Sequence, residues 1–189
     1  MTSAAGLTGV GRDAGVPRVF KGGPAKRGAM LKTGHQGAAL LLYAPVGYVL
    51  LAIDPGVAAI GLVGTVALSM LPDVDMRIPF VAHRGVTHTL LFVAVTAGGL
   101  AACGRTFADA MGLDPAVAAP LGAIVGVTAV GSHLLADALT PAGVPALWPL
   151  TDRRFSAAVV RADNPLVNYL LFVVGLAATG ALAQAAGVF

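Results

Sequence analysis

Apolar residues along this chain form five long blocks, and short segments between the blocks carry most of the charged side chains. The blocks cover roughly 37–53, 56–71, 88–103, 116–136 and 165–187. A membrane-spanning helix needs about 20 apolar residues and rarely fewer than about 17, so the last two blocks are long enough and the first three are short. The strict alternation of a transmembrane β-strand is absent. The pattern predicts an all-α, multi-pass helical membrane protein with about five apolar helices, of which four to five span the bilayer.

Only Asp54-Pro55-Gly56 separates the first two blocks. Proline and glycine favour turns and end helices. The segment is either a tight turn between two spanning helices or the tip of a re-entrant hairpin, and this choice decides how many helices span.

The segment before the first block, 1–33, is rich in Gly, Pro, Lys and Arg and has no sustained apolar periodicity. It predicts a flexible basic tail, followed by one membrane-embedded domain over 34–189. A secretory signal would need an apolar run of roughly 7–15 residues followed by a cleavage site of small residues. Here the first long apolar run leads directly into another block, so we expect an uncleaved chain.

The composition agrees with a membrane protein, because 57% of the 189 residues are hydrophobic and only 11% are charged. Soluble domains carry about 25% charged residues. The net charge of +3 is too small to indicate a nucleic-acid partner, so the predicted partner is the lipid bilayer. The single cysteine, Cys103, excludes an intrachain disulfide and a Cys-rich zinc site. Carboxylate chemistry belongs to Asp, since all nine acidic residues are Asp.

The basic residues predict the orientation in the membrane. If all five blocks span and the tail is cytoplasmic, eleven of the twelve Lys and Arg lie in 1–36, 72–87 and 137–164, and only Arg105 lies outside. Positive charge accumulates on the cytoplasmic side of membrane proteins. We therefore expect a multi-pass protein of the inner (plasma) membrane with a cytoplasmic N-terminus.

The same topology places every histidine and three aspartates at the cytoplasmic ends of the blocks. These residues are His35, Asp73, Asp75, His83, His88, His133 and Asp137. Ionisable groups at membrane depth are costly and mark functional sites by default. Nothing in the charge rule requires these seven residues to share a side, so their agreement predicts a metal site at one face of the bilayer.

The first pair of carboxylates, Asp73 and Asp75, follows Pro72. Proline disfavours continuation of a helix, so we expect an extended turn in which both carboxylates point to one side. Such a pair can bind one cation or bridge two. The alternative is a solvated loop that ends the second helix.

The segment His83-Arg84-Gly85-Val86-Thr87-His88 predicts two imidazole ligands on a bend. We place His83 in a loop that bends at Gly85 and His88 in the first turn of the third helix, with Thr87 as the N-cap. The helix N-terminus would keep His88 neutral and able to bind metal. Arg84 either orients an anionic substrate group or anchors the chain at lipid headgroups.

The third element, His133 and Asp137, has the i, i+4 spacing that places two side chains on one helix face. Asp137 either binds the same ion as His133 or fixes its tautomer. Ligands without thiolates favour zinc, with manganese possible. Seven candidate ligands exceed the four that zinc usually takes, which indicates one or two ions, or one ion and a general base.

The loop 140–164, which contains Trp148, is interpreted as lying at the membrane interface. Alternatively, the loop covers the site and Arg153 or Arg154 binds a phosphate.

This ordered set resembles the LexA-regulated, inner-membrane-associated, metal-dependent hydrolase family, which is YdjM-like. The matching features lie within roughly 33–165 and are His35, Leu-Pro-Asp-Val-Asp at 71–75, His-Arg-Gly-Val-Thr-His at 83–88, and His133 with Asp137 before Thr140-Pro141. Thr89 stands where serine is expected, a departure of little consequence for metal binding. The resemblance implies hydrolase activity but no particular substrate. A more distant similarity to the zinc-dependent phospholipase C and nuclease group favours a phosphoester.

We therefore predict a membrane-bound, metal-dependent hydrolase that acts on a phospholipid or other phosphoester at the cytoplasmic face. In this enzyme the seven candidate residues bind the metal, and Asp75 and Arg84 are also the catalytic candidates. Asp75 either completes the metal shell or acts as a base. One alternative is a membrane transporter or metal-handling protein with the same groups as a permeation or sensing site. Another is a non-catalytic membrane scaffold with a structural metal. Clustering at one face disfavours transport, because transport sites usually lie near the bilayer midplane.

Overall fold

The computed structural model describes residues 29–188 and is built from α-helices joined by short 3-10 helices and loops. The helices are α1 (Lys32–Leu51), α2 (Pro55–Leu68), α3 (Leu90–Phe107), α4 (Pro115–Ala138) and α5 (Pro165–Ala185), and the 3-10 helices are Pro72–Arg77, Val86–His88 and Asp109–Met111. Each predicted block corresponds to one helix, which confirms the all-α prediction. Within the described range, only an isolated bridge between Val144 and Phe155 has β geometry.

Among the described residues, four helical segments are long and apolar enough to cross a membrane by length and composition. They are Pro55–Arg77, Leu90–Phe107, Pro115–Ala138 and Pro165–Ala185. The first combines α2 with the 3-10 helix that follows it. Helix α1 has 20 residues, but its first turns carry Lys32, His35 and Gln36, which lower its apolar character. Most of the predicted tail, 1–28, lies outside the described residues, and α1 begins at Lys32, inside the predicted tail boundary.

Three helices begin at a polar cap followed by proline. Asp54 accepts a hydrogen bond from the Val57 amide, Asp114 from that of Ala116, and Asn164 from that of Leu166. A side-chain oxygen at the cap satisfies one of the unpaired amides of the first turn, and proline at the next position lacks an amide to satisfy. The segment at Asp54 is therefore a tight turn between α1 and α2.

Close contacts between backbones hold the helices together. Helix α3 packs on α4, α5 packs on α1, and α1, α2 and α4 meet at the centre. A side chain at Gly122 would collide with the Leu100 carbonyl, and one at Gly37 with the backbone of Leu171. Small residues at helix contacts permit this approach in membranes. The result is a bundle in which α1, α2 and α4 converge at the end where His35, Asp73 and Asp137 lie.

Helix α3 begins two residues later than the sequence indicated. Its N-cap is Thr89, whose hydroxyl accepts from the Phe92 amide at 3.1 Å and donates to the Val86 carbonyl at 2.8 Å. The prediction that Thr87 caps this helix is therefore wrong, and His88 lies in the preceding 3-10 helix rather than in the first turn of α3. Serine has the same hydroxyl, which explains why either residue suits position 89.

We expect Thr89→Ala to lower the free energy of unfolding by about 1 kcal/mol, the usual loss for an N-cap hydroxyl. Thr89→Ser is the matched control and should change it by much less, because both hydrogen bonds are kept. Thermal unfolding in detergent, followed by circular dichroism, measures both. Equal stability of the alanine and serine variants would contradict the capping role.

Candidate metal centre

All seven predicted ligand residues meet in one cluster at one end of the bundle. Six of them are buried, and the side chain of His83 is 18% exposed. The start of α1 supplies His35, the 3-10 helix after α2 supplies two aspartates, the 83–88 segment supplies two histidines, and the end of α4 supplies His133 and Asp137. The prediction that these residues share one end is confirmed. The expected extended turn at Asp73 and Asp75 is wrong, because these residues lie in a 3-10 helix.

Three overlapping groups of ligand atoms converge within this cluster. They are His35 with Asp73 and His133, Asp73 with His83 and His88, and His88 with His133 and Asp137; the atoms of each group lie within 4.8 Å of one another. Asp73 Oδ1 is 3.4 Å from His133 Nε2 and 3.6 Å from His88 Nε2. Because Asp73 belongs to two of the groups, its carboxylate is positioned to serve one cation or to bridge two.

Backbone and side-chain hydrogen bonds orient two imidazoles with their Nε2 atoms facing inward. His133 Nδ1–H donates to the Ser69 carbonyl at 2.7 Å. Thr87 donates its hydroxyl proton to Asp75, so its oxygen accepts from His88 Nδ1–H at 2.9 Å. A second hydrogen-bond partner of this kind fixes the tautomer of metal-binding histidines. Ser69 therefore fixes the tautomer of His133, a role that the sequence offered to Asp137 as one alternative.

The spacing of the inward atoms fits a metal ion. His88 Nε2 and His133 Nε2 are 3.2 Å apart, and two nitrogens bound at about 2 Å to tetrahedral zinc lie roughly 3.3 Å apart. Asp137 Oδ2 lies 3.3 Å from His88 Nε2 and 3.6 Å from His133 Nε2, which places this carboxylate on the ligand side of both rings. The predicted sharing of one face by His133 and Asp137 is confirmed.

Unsatisfied polar atoms give an independent test of this fit. Within residues 29–188, His35 Nδ1, His83 Nε2 and Asp137 Oδ2 are buried side-chain atoms without a hydrogen-bond partner. A buried polar group without a partner costs about 1–3 kcal/mol. All three belong to residues of the converging groups, and a bound cation would offer such atoms a partner. His35 is further held by stacking on His133, with ring centroids 3.8 Å apart and planes 5° from parallel.

Asp75 has a different environment from the other candidates. Its Oδ1 accepts from His83 Nδ1 at 2.9 Å, and its Oδ2 accepts from the Thr87 hydroxyl at 2.6 Å and from the Arg84 amide at 3.2 Å. Asp75 belongs to none of the three converging groups. Because both oxygens already accept from neighbouring donors, the geometry favours a positioning role, in which Asp75 orients His83 and the 84–88 segment, over the predicted roles of ligand or base.

Arg84 is buried within the cluster, with 4% exposure. Its Nη2 forms an ion pair with Asp137 Oδ1, and its Nη1 donates to Thr140 Oγ1 at 3.1 Å. The backbone of Arg84 is left-handed, with a φ of 57°, which turns the side chain from the loop toward α4. This burial excludes the alternative that Arg84 is a headgroup anchor and places its charge beside a ligand carboxylate.

The surrounding carboxylates make this end of the bundle strongly favourable for positive charge. Burial alone disfavours the charged form of His88, but Asp137, Asp73 and Asp75 outweigh it and raise the pKa of His88 to about 10. The expectation that a helix N-terminus keeps His88 neutral is therefore wrong in the absence of a cation. A divalent cation at Nε2 would be stabilised by the same carboxylates that stabilise the proton.

Sequence reasoning missed the supporting roles of Ser69, Thr87 and Thr140. Ser69 acts through its backbone carbonyl, which any residue could provide, so a serine at this position does not indicate the role in the sequence. Thr87 was interpreted as a helix cap but instead links Asp75 to His88. Thr140 accepts from Arg84 and donates to the Asp137 carbonyl at 2.8 Å; its position beside Pro141 was the available signal.

We expect Asp75→Asn to weaken metal binding by about 10–100-fold, the usual effect of losing a residue that orients a ligand. Saturating metal should restore binding, because the converging ligand atoms remain. Competition with a chromogenic chelator measures the affinity, and the exposed Asp163 gives the control variant Asp163→Asn. Complete loss of metal at saturation would instead make Asp75 a ligand.

The chain is similar to known inner membrane proteins. Residues 30–189 match the profile of a family described as YdjM inner membrane protein. Two curated relatives, both named Inner membrane protein YdjM, from Escherichia coli (strain K12) and Shigella flexneri, are 33% identical over 119 residues. The match covers 53% of this chain and 56% of each relative, so the chain spans about half the length of the curated relatives it matches. No solved structure matches this chain.

Proposed function

The chain belongs to the YdjM inner membrane protein family, and on this premise we propose that it is a membrane-bound, metal-dependent hydrolase acting at the cytoplasmic face. The observation that carries the proposal is the convergence of three overlapping His/Asp ligand groups, whose residues also carry buried polar atoms without hydrogen-bond partners. Structural zinc sites are closed by four ligands. A larger set that shares Asp73 between groups can hold two ions, as two-metal phosphatases, nucleases and aminopeptidases do.

Six residues would hold the metal in this proposal: His35, Asp73, His83, His88, His133 and Asp137. The ion is zinc or manganese, with one or two bound, because the ligands are imidazoles and carboxylates only. When bound, such an ion supplies a Lewis acid that activates water near neutral pH. Asp75 orients His83, and Arg84 holds Asp137 in place and contributes positive charge where a phosphate would bind.

A phospholipid or another phosphoester is the proposed substrate class. His83 is the most exposed of the candidate ligands, at 18%. An apolar pocket lined by Phe80, Val86, Pro145 and Trp148 borders the segment that contains His83. An amphiphilic substrate could place its apolar part in this pocket while its ester approaches the cluster. Transport is less favoured, because the ligand groups lie at the ends of their helices rather than at mid-length.

Metal analysis of the purified protein tests this proposal first. We expect one or two equivalents of zinc or manganese by elemental mass spectrometry in the wild type, and loss of metal in His83→Ala/His88→Ala. The control Cys103→Ala changes an exposed residue of α3 outside the cluster and should keep the metal. The metal-loaded protein is then screened against phosphomonoesters, phosphodiesters and phospholipids.

The alternatives give different results in the same experiments. A scaffold with a structural metal would unfold on chelation and turn over none of these substrates. A transporter would carry metal into proteoliposomes, with the flux lost in Asp73→Asn. Absence of metal in folded wild type, even after reconstitution with each candidate ion, would contradict the hydrolase proposal.

A further inference from the structure

An open cleft of about 390 Å³ lies on the outer side of the end of α4. Its apolar wall includes Leu135 and Leu139, which are 59% and 41% exposed although α4 is otherwise the most buried spanning helix. The two leucines are four residues apart, so they form a stripe along the helix axis. In a bilayer this stripe faces acyl chains.

Two adjacent arginines, Arg153 and Arg154, form the polar wall of the same cleft. Within residues 29–188, neither lies within ion-pair distance of a carboxylate. Arg154 donates to the carbonyls of Ala142 and Gly143 at 3.0 Å each and to that of Arg84 at 3.4 Å, and Arg153 lies 5.7 Å above the ring of Phe155. These contacts hold both guanidinium groups at the cleft but do not neutralise them.

Another arginine of the same loop has different surroundings. Arg161 is 80% exposed and pairs with Asp163 at 3.3 Å. A general surplus of positive charge at this face therefore does not explain the cleft. What distinguishes the cleft is that Arg153 and Arg154 have no acidic partner among the described residues and lie beside the stripe formed by the two leucines.

The cleft lies beside the metal centre but is lined by different residues. Leu135 and Leu139 project from the side of α4 opposite to Asp137, which is buried at 1% exposure. The loop also closes against the end of the helix, because the amides of Ala157 and Val159 donate to the carbonyls of Ala138 and Leu139 at 2.7 and 2.9 Å. The lining of the cleft contains none of the candidate ligands, and Arg154 contacts the metal centre through the backbone carbonyl of Arg84.

We propose that this cleft binds an anionic phospholipid, with its phosphate on Arg153 and Arg154 and an acyl chain along Leu135 and Leu139. Arginine pairs with phosphate through two parallel hydrogen bonds, and the apolar stripe distinguishes a lipid from a free anion. The bound lipid is not a substrate in this proposal; it fixes the 153–157 segment against α4. The site therefore stands whether or not the proposed hydrolase activity does.

Native mass spectrometry of the full chain, titrated with phosphatidylglycerol and phosphatidylcholine of matched acyl chains, tests the proposal. Each arginine near an anionic lipid surface contributes about fivefold in affinity. We expect a clear preference of the wild type for phosphatidylglycerol, about fivefold weaker in Arg153→Gln and absent in Arg153→Gln/Arg154→Gln. The control Arg161→Gln should keep the full preference.

Arg153→Gln alone keeps the carbonyl contacts of Arg154, so it remains informative if the double variant fails to fold. Inorganic phosphate at millimolar concentration should not displace the lipid. Equal binding of the two lipids by the wild type, an unchanged preference in Arg153→Gln, or displacement by inorganic phosphate would each overturn the proposal.

Discussion

His88→Ala is expected to abolish hydrolysis by the metal-loaded protein while leaving it folded and inserted in the membrane. His88 Nε2 lies 3.2 Å from His133 Nε2 and 3.3 Å from Asp137 Oδ2, and His88 belongs to two of the three converging groups. Loss of a residue that only orients a ligand lowers activity or metal affinity by about 10–100-fold. Removing a ligand shared between groups should lower activity by more than this range.

Turnover of whichever phosphoester the wild type hydrolyses measures the effect, with bound metal determined on the same samples. Cys103→Ala is the matched control, since it changes α3, the helix that follows His88, without changing the cluster. Asp75→Asn gives a second comparison, because excess metal should rescue it and should not rescue His88→Ala. Full activity of His88→Ala would contradict the proposed centre.

Arg84→Gln is expected to make the stability of the protein depend on bound metal. The Arg84 guanidinium pairs with Asp137 Oδ1, and both side chains are almost fully buried. Removing one partner of a buried ion pair costs about 3–5 kcal/mol, because the remaining charge loses a compensating partner. A cation bound by Asp137 supplies that compensation, so the loss should be large in chelator and much smaller in metal.

Thermal unfolding with and without chelator measures this dependence. For a chain of this size 1 kcal/mol corresponds to about 2–4 °C, so chelator should lower the Tm of Arg84→Gln by roughly 10 °C more than that of the wild type. Arg84→Lys keeps the positive charge, so chelator should lower its Tm by an amount between those of Arg84→Gln and the wild type. Arg77→Gln is the control, because Arg77 lies at an exposed end of the 3-10 helix. If chelator lowers the Tm of Arg84→Gln and of the wild type equally, Asp137 does not bind the metal.

Hydrophobic pattern and spacing were sufficient to predict the helices and the end of the bundle that carries the site. Each apolar block became a helix because a chain in lipid has to satisfy its backbone hydrogen bonds within the segment. Capping residues before proline, such as Asp54 and Asp114, determined where helices begin. The charge pattern placed His35, Asp73 and Asp137 at one end, and the structure brings these three residues together.

The division of roles within the cluster needed the tertiary structure. Asp73 and Asp75 are equivalent in the sequence, yet Asp73 faces the Nε2 atoms of His88 and His133. Asp75 instead accepts from His83 Nδ1, the Thr87 hydroxyl and the Arg84 amide. Arg84 had two interpretations, and only its burial against Asp137 distinguishes them. The sequence by itself determined the all-helical membrane fold and the set of ionisable residues, because both follow from local composition and spacing. Only the tertiary structure decided which atoms face one another, because hydrogen bonds such as that from His133 to the Ser69 carbonyl join residues far apart in the chain.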